Sequence, residues 1–325
     1  MSNQGTSGWR DALIIDATCP PDLWVPGYAD WIDGGFSTCA LSVGGGDPGG
    51  AVAALGAVYR MIRNDPRLTQ VRSAQDIRAA HRDGRLGVLP HFQSTRALDY
   101  DPDLVEVYQR LGIRMMGLAY NRRNPLCDGC EEPSDAGLSI LGRRMIAEMN
   151  RTGILVDFAH TGWRTCAEAL EVSTAPCVAS HSNAHAVKAH RRNLPDEIIR
   201  GIAASGGVLG MNGFPAFVSP DPAPTLDQFI DHIVHIDSLV GSGHVGLGLD
   251  YCAITTGEYQ EMIDSGAWSP ENYPPPPWNY PAGITTPRTI GALADRMDER
   301  GFSETEIRGV LGENWMGLFE RMWPR

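Results

Sequence analysis

Clustered positive charge is the first thing this 325-residue sequence lacks. No run of Lys or Arg occurs, and 27 basic residues stand against 39 acidic ones, a net charge of −12. Nucleic acid and anionic membrane surfaces both require concentrated positive charge, so neither is expected as a partner and a small solute is. Long hydrophobic runs are missing too. Met1 to Arg10 is polar, and the first apolar run, Ala12 to Ile15, is too short for a signal-peptide core or a membrane span. The expectation is a cytoplasmic protein. Seven cysteines, an odd number scattered over a large chain, do not make a disulfide framework. Cys127 and Cys130 form a C-x-x-C, but no second pair completes a four-sulfur zinc site and no thioredoxin-like context surrounds it, so an ordinary loop with two thiols is the favoured reading. The glycine-rich stretch Gly44 to Gly50 lacks both the Lys-Ser/Thr of a P-loop and the G-x-G-x-x-G order, and reads as a loop.

What is present is a repeat of short apolar runs bounded by turn residues, with helical patterns between them. The runs are Ala12 to Thr18, Ser37 to Val43, Leu86 to Gln93, Ile113 to Tyr120, Ile154 to His160, Pro176 to His181, Val208 to Asn212 and Val245 to Asp250. Helices are expected at Asp47 to Arg63, Ser73 to Asp83, Pro102 to Leu111, Leu138 to Thr152, Arg164 to Ser173, Pro195 to Ser205 and Leu226 to Val240, with closing helices at Arg288 to Asp298 and Ser303 to Met322. Eight strands alternating with helices suggest a single (β/α)8 TIM-type barrel domain over residues 1–325, an open doubly wound sheet being the alternative. Cys252 to Pro287, with four consecutive prolines, fits neither strand nor helix and reads as a stiff lid or interface loop.

Active sites of barrels lie where the strands end, so the polar residues closing the runs are the candidates. They are Asp16 and Thr18, Gln93 with His91 two residues before it, Tyr120, His160, His181, Asn212 and Asp250. One strand-end histidine alone is more often a hydrogen-bonded structural residue. Two histidines and an aspartate delivered by three strands to one rim reverse that reading, because imidazole and carboxylate are the donors of zinc and related ions.

Gly153 to His160, Ala179-Ser180-His181-Ser182 and Arg191 to Asp196 resemble the membrane (renal-type) dipeptidase family, a branch of the amidohydrolase-like barrels. The likeness continues through Leu111 to Arg114, Glu148 to Arg151, His244 to Asp250 and Gly312-Glu313-Asn314-Trp315, nearly the whole chain. The resemblance implies histidine ligands at His160 and His181, a substrate-carboxylate arginine at Arg192 and the strand-eight aspartate at Asp250. It also exposes departures. The family's first-strand D-x-H-x-D appears here as Asp16-Ala17-Thr18-Cys19-Pro20, which removes two ligands of the first of its two zinc ions. Its bridging glutamate corresponds to Gln93, and its substrate-facing histidine to Tyr120. Similar Gln and Tyr replacements mark a bacterial subgroup, so the pattern resembles an alternative design.

The expected function is therefore a zinc-dependent hydrolase with one metal per chain, cleaving an amide in a small carboxylate-bearing molecule such as a dipeptide or an N-acyl amino acid. Metal falls to His160 and His181 with Gln93 or Asp250, the proton to Asp250, the oxyanion to Tyr120 or the metal, and the substrate to Arg192, Tyr120 and Asn212. His91 is read as a packed interior residue ahead of an extra ligand or proton carrier. His185 and His190 are read as solvent-facing. A metal-free or catalytically silent carboxylate-binding protein is one alternative, and a metal-dependent lyase or isomerase another. The resemblance favours a homodimer.

Overall fold

The computed structural model describes residues 8–20, 27–44 and 46–323. Met1 to Ser7 of the polar N-terminus and Gly45 of the glycine-rich stretch lie outside the described residues.

The apolar runs become parallel strands: β1 (Ile15–Cys19), β2 (Thr38–Ser42), β3 (Leu68–Gln70), β4 (Leu86–His91), β5 (Met115–Gly117), β6 (Leu155–Asp157), β7 (Cys177–Val178), β8 (Leu209–Met211) and β9 (Val245–Leu247). One sheet runs β3-β4-β2-β1-β9-β8 and a second β5-β6-β7. Bridges between Phe92 and Met116 and between Ala179 and Leu209 join the two, so eight strands close into a ring, as the repeat predicts. The exception is β3, which pairs beside the lower half of β4. Leu68-Thr69-Gln70 is too short and too mixed to stand out as an apolar run.

Helices fall within a few residues of their expected spans, and their start signals act as the chemistry requires. Asp47 accepts from the Gly50 N–H ahead of the helix Pro48–Asn64, and Ser73 and Thr225 form capping boxes. The segment after β9 differs from expectation. It contains a helix, Thr256–Asp264, whose capping box of Thr255 and Glu258 was available in the sequence but was hidden by the prolines that follow. Among the described residues no helix is long and apolar enough to cross a membrane.

The hydrogen-bonded ladders stop short of the chemistry. Tyr120, His160, His181 and Asp250 each stand three residues beyond the last residue of β5, β6, β7 and β9. Beyond the ladder the backbone is free to turn, and His160 and Asp250 adopt left-handed φ of 64° and 54°. Two glycines make the crowding there possible. A Cβ on Gly210 or Gly248 would lie 2.0 or 1.8 Å from the Ser180 carbonyl oxygen, so β8 and β9 pass against the backbone that carries His181 only because both lack one.

Asp16 closes the seam of the ring. Its buried carboxylate accepts from the N–H groups of Leu249 (2.9 Å) and Thr18 (3.3 Å) and from the Trp31 indole (2.9 Å), tying β1 to the end of β9. Burial lifts its pKa to about 6, so it is still the carboxylate at neutral pH. Retention of this first aspartate is thus a structural matter in this chain. Asp16→Ala leaves these donors without an acceptor, and a loss of roughly 2 to 4 kcal/mol in urea unfolding is expected; an unchanged unfolding midpoint would show that the clamp carries no stability.

Candidate active site

The rim residues meet in a cavity of about 230 Å³. Gln93, Tyr120, His160 and Asp250 line its polar side. His181 is buried directly behind His160, its Nε2 only 2.9 Å from the His160 Nε2.

Hydrogen-bond accounting fixes what those two nitrogens carry. Asn121 donates its amide N–H to the Ala267 carbonyl (3.0 Å), which turns its Oδ1 toward His160, so His160 donates from Nδ1 (2.8 Å). Around His181 Nδ1 stand the hydroxyls of Ser180 (2.6 Å) and Thr18 (3.0 Å). Ser180 gives its proton to the Asp157 carboxylate (2.5 Å) and Thr18 gives its own to the Ala17 carbonyl (2.7 Å), so His181 also donates from Nδ1. Both imidazoles then present Nε2 lone pairs to each other. Two lone pairs at that separation repel unless a cation draws both, and Arg192 Nη2 stands 3.5 Å from one of them; an N–H held by a neighbour and a lone pair left for a ligand is the arrangement a metal-binding histidine needs. Burial in the first place, and the Arg192 charge in the second, hold the pKa of both rings well below the usual histidine range.

The family's full two-metal centre does not fit. Among the described residues no three side chains of His, Cys, Asp or Glu come together as a cage. Asp16 is consumed by backbone and indole donors, and Thr18 buttresses His181 instead of replacing the missing ligand. For a single ion the imidazole pair leaves two nitrogen donors; among the described residues no third His, Cys, Asp or Glu joins them, and Gln93 and Asp250 line the same cavity.

Tyr120 stacks on His160 with ring centroids 4.0 Å apart, and its hydroxyl accepts from the Trp268 indole N–H (3.0 Å). Burial pushes its pKa up, so the phenol keeps its proton for donation into the cavity. Asp250 accepts from the Asn212 amide (3.0 Å). Asn212, expected at the substrate, is fully buried; its Oδ1 accepts from the Phe214 N–H (2.7 Å) and its amide N–H supports Asp250. Arg192 stands behind the cavity wall. Its guanidinium, buried over the Phe217 ring, donates to Tyr273 Oη (3.2 Å), Ser182 Oγ (3.4 Å) and the His181 carbonyl (3.2 Å). Among the described residues no carboxylate lies within salt-bridge distance of it.

His91 is a packed interior residue, as the favoured reading had it. Burial takes its pKa down to about 3, Nε2 meets Ser42 Oγ (2.9 Å), and Nδ1 has no partner. Gln93 donates to the same Ser42 (2.8 Å). His190 is half-buried, not solvent-facing: it packs on Phe217 (4.7 Å), and its Nδ1 accepts from the Arg192 N–H (3.1 Å). Cys127 and Cys130 are not joined in a disulfide, and Cys130 donates weakly to Asn121 Oδ1 (3.3 Å). Sequence reasoning missed the residues that aim the histidines. Asp157 was visible as the one polar break in its apolar run, three residues before His160; Asn121 and Ser180 each adjoin a candidate and gave no periodic signal.

A closed barrel with inward-held imidazoles, a carboxylate and a protonated phenol at its strand ends is the amidohydrolase-like class. Residues 50–265 match the model of the membrane dipeptidase family, peptidase family M19. The chain is 34% identical over 226 residues to an uncharacterized dipeptidase of Schizosaccharomyces pombe, covering 68% of this chain and 49% of that protein. It is 29% identical over 264 residues to the dipeptidase aclJ of Aspergillus oryzae, covering 79% and 57%. Among solved structures, an amidohydrolase from Pseudomonas aeruginosa superposes with a TM-score of 0.88 at 29% identity, covering 97% of this chain and 98% of that one. This chain belongs to the membrane dipeptidase family. It spans about half the length of the curated relatives it matches.

The buried phenol supplies a direct test. In an alkaline absorbance titration Tyr120→Phe should lose no phenolate signal below about pH 11, since an ordinary tyrosine ionises near 10 and this one is held above it. A phenolate lost with Tyr120 by pH 10 would show that burial does not raise this phenol's pKa.

Proposed function

We propose that this chain is a hydrolase that cleaves an amide in a small carboxylate-bearing molecule, such as a dipeptide or an N-acyl amino acid, with one zinc ion. The observation that carries the reading is the pair of Nε2 lone pairs converging at 2.9 Å beside a cavity that also presents a carboxylate and a phenol. The amidohydrolase and dipeptidase names of its relatives support the same chemistry.

His160 and His181 would hold the ion, with Gln93 and Asp250 as the further donors, and its contribution when bound is to polarise the scissile carbonyl and acidify water. The chain's own groups do the rest. Arg192 binds the substrate carboxylate. Its guanidinium lies behind the cavity wall with Nη2 3.5 Å from His160 Nε2 and no carboxylate beside it, so a ligand carboxylate that displaced its present acceptors would relieve the cost of burying the charge. Tyr120 donates from Oη to the carbonyl oxygen as negative charge develops there. Asp250, oriented by Asn212, accepts the proton of the attacking water and returns it to the departing amine nitrogen. Water adds, the C–N bond breaks, and an acid and an amine leave. A cytoplasmic homodimer acting on a small molecule, with no nucleic-acid or membrane partner, completes the proposal.

Elemental analysis of the purified protein should find one metal or fewer per chain, because Thr18 and Pro20 stand where two ligands would be and Gln93 lacks a bridging charge. Two tightly held metals would overturn this. Asp250→Asn should keep the metal and lose at least about a hundredfold in kcat, whereas His160→Ala and His181→Ala should lose metal and activity together. A metal-free Asp250→Asn would make the aspartate a ligand.

Arg192→Met should weaken carboxylate substrates by roughly 2 to 4 kcal/mol in kcat/KM. Equal discrimination between a substrate and its carboxamide, before and after the substitution, would remove Arg192 from recognition.

A further inference from the structure

Opposite its polar side the cavity has a wall that hydrolysis itself does not require. Phe214, Ile254, Met262 and Trp268 form it, three of them from the segment that follows β9. Phe214 and Trp268 are buried and belong to the core, but Ile254 and Met262 are only half-buried and turn apolar surface into the cavity. Among the described residues lining the cavity, Asp250 is the only Asp or Glu, and no Lys or Arg lines it.

The wall is already in place. Trp268 is pinned by its indole N–H to Tyr120 Oη (3.0 Å) and by a stack on Tyr273, centroids 4.7 Å apart and planes within 6°. Asn121 holds the Ala267 carbonyl (3.0 Å), Arg122 the Gly266 carbonyl, and Tyr273 Oη in turn receives Arg192 Nε (3.2 Å). Phe214 packs edge-on against Trp278 (4.9 Å). Met262 sits on the capped helix Thr256–Asp264, facing back toward the cavity. A wall fixed before ligand arrives discriminates by fit, because its residues lose little freedom when substrate packs on them.

We propose that this wall makes the site selective for substrates with an apolar aliphatic or aromatic group beside the scissile amide, and set against an acidic group at that position. The reaction in this statement rests on the hydrolase reading; the selectivity is a property of binding. An apolar group entering the cavity covers Ile254 and Met262 and gains their contact. A carboxylate entering the space beside Ile254 and Met262 gives up water, meets no Lys or Arg among the described lining residues and faces Asp250.

The test uses the metal-loaded full chain and a panel of dipeptides and N-acyl amino acids carrying Gly, Leu, Phe, Lys or Glu on either side of the amide. On one side, Leu and Phe should exceed Gly in kcat/KM by at least about tenfold and Glu by at least about a hundredfold. Met262→Lys and Ile254→Lys, both at half-exposed positions, should lower the Leu-to-Glu ratio by at least about tenfold with an unchanged melting temperature. Calorimetry supplies a readout without turnover: N-acetyl-L-leucine should bind at least about tenfold tighter than N-acetylglycine or N-acetyl-L-glutamate. Turnover with no such preference overturns the selectivity and leaves the hydrolase. Selective binding with no turnover of any amide keeps the selectivity and overturns the hydrolase. Neither turnover nor selective binding removes both.

Discussion

Everything at the mouth of this barrel is arranged around one contact, the 2.9 Å approach of His160 Nε2 to His181 Nε2. Each ring arrives from a different strand and is locked by a different partner, Asn121 for one and Ser180 with Thr18 for the other. Because those partners take the Nδ1 protons, neither ring can turn its lone pair away without orphaning a buried donor. The backbone bears part of the load. Of the five described non-glycine residues with left-handed φ, Asn121, His160 and Asp250 stand at this site, and each such residue costs about 1 to 3 kcal/mol unless the surroundings over-determine it. The surroundings here are the close-packed strand ends, where Gly210 and Gly248 let two strands press on the Ser180 backbone.

The partners of the histidines also link the site to the segment after β9. Asn121 holds His160 by Oδ1 and the carbonyl of Ala267 by its amide N–H, and Tyr273 touches both Asn121 and Arg192. One buried amide thus sets the orientation of His160 and the position of the segment beside it. The wall of the cavity and the chemistry of its floor share a scaffold, and that is why the segment after β9 is folded and capped even though its proline content suggests a plain loop.

Much of the ring was legible because buried parallel strands are continuous apolar runs: seven of the eight ring strands lie within runs visible in the sequence, and β1 passes the end of its run by one residue, Cys19. The strand-end rule then picked out Tyr120, His160, His181 and Asp250 because each closes such a run. What failed is what periodicity cannot carry. Leu68 to Gln70 forms a strand only because β4 offers an edge, and the rim position of Asn212 says nothing about its amide meeting Asp250. Arg192 illustrates the same limit from the other side: its residue type is in the sequence, but its burial without a carboxylate is a tertiary fact.

That burial would couple the two charges of the proposed site. Arg192 Nη2 lies 3.5 Å from His160 Nε2, so a cation on the imidazoles would stand close to the guanidinium. Under the proposed function each would be disfavoured by the other as well as by desolvation. A ligand carboxylate at the guanidinium would offset both penalties, so metal and carboxylate would raise each other's affinity by the same factor.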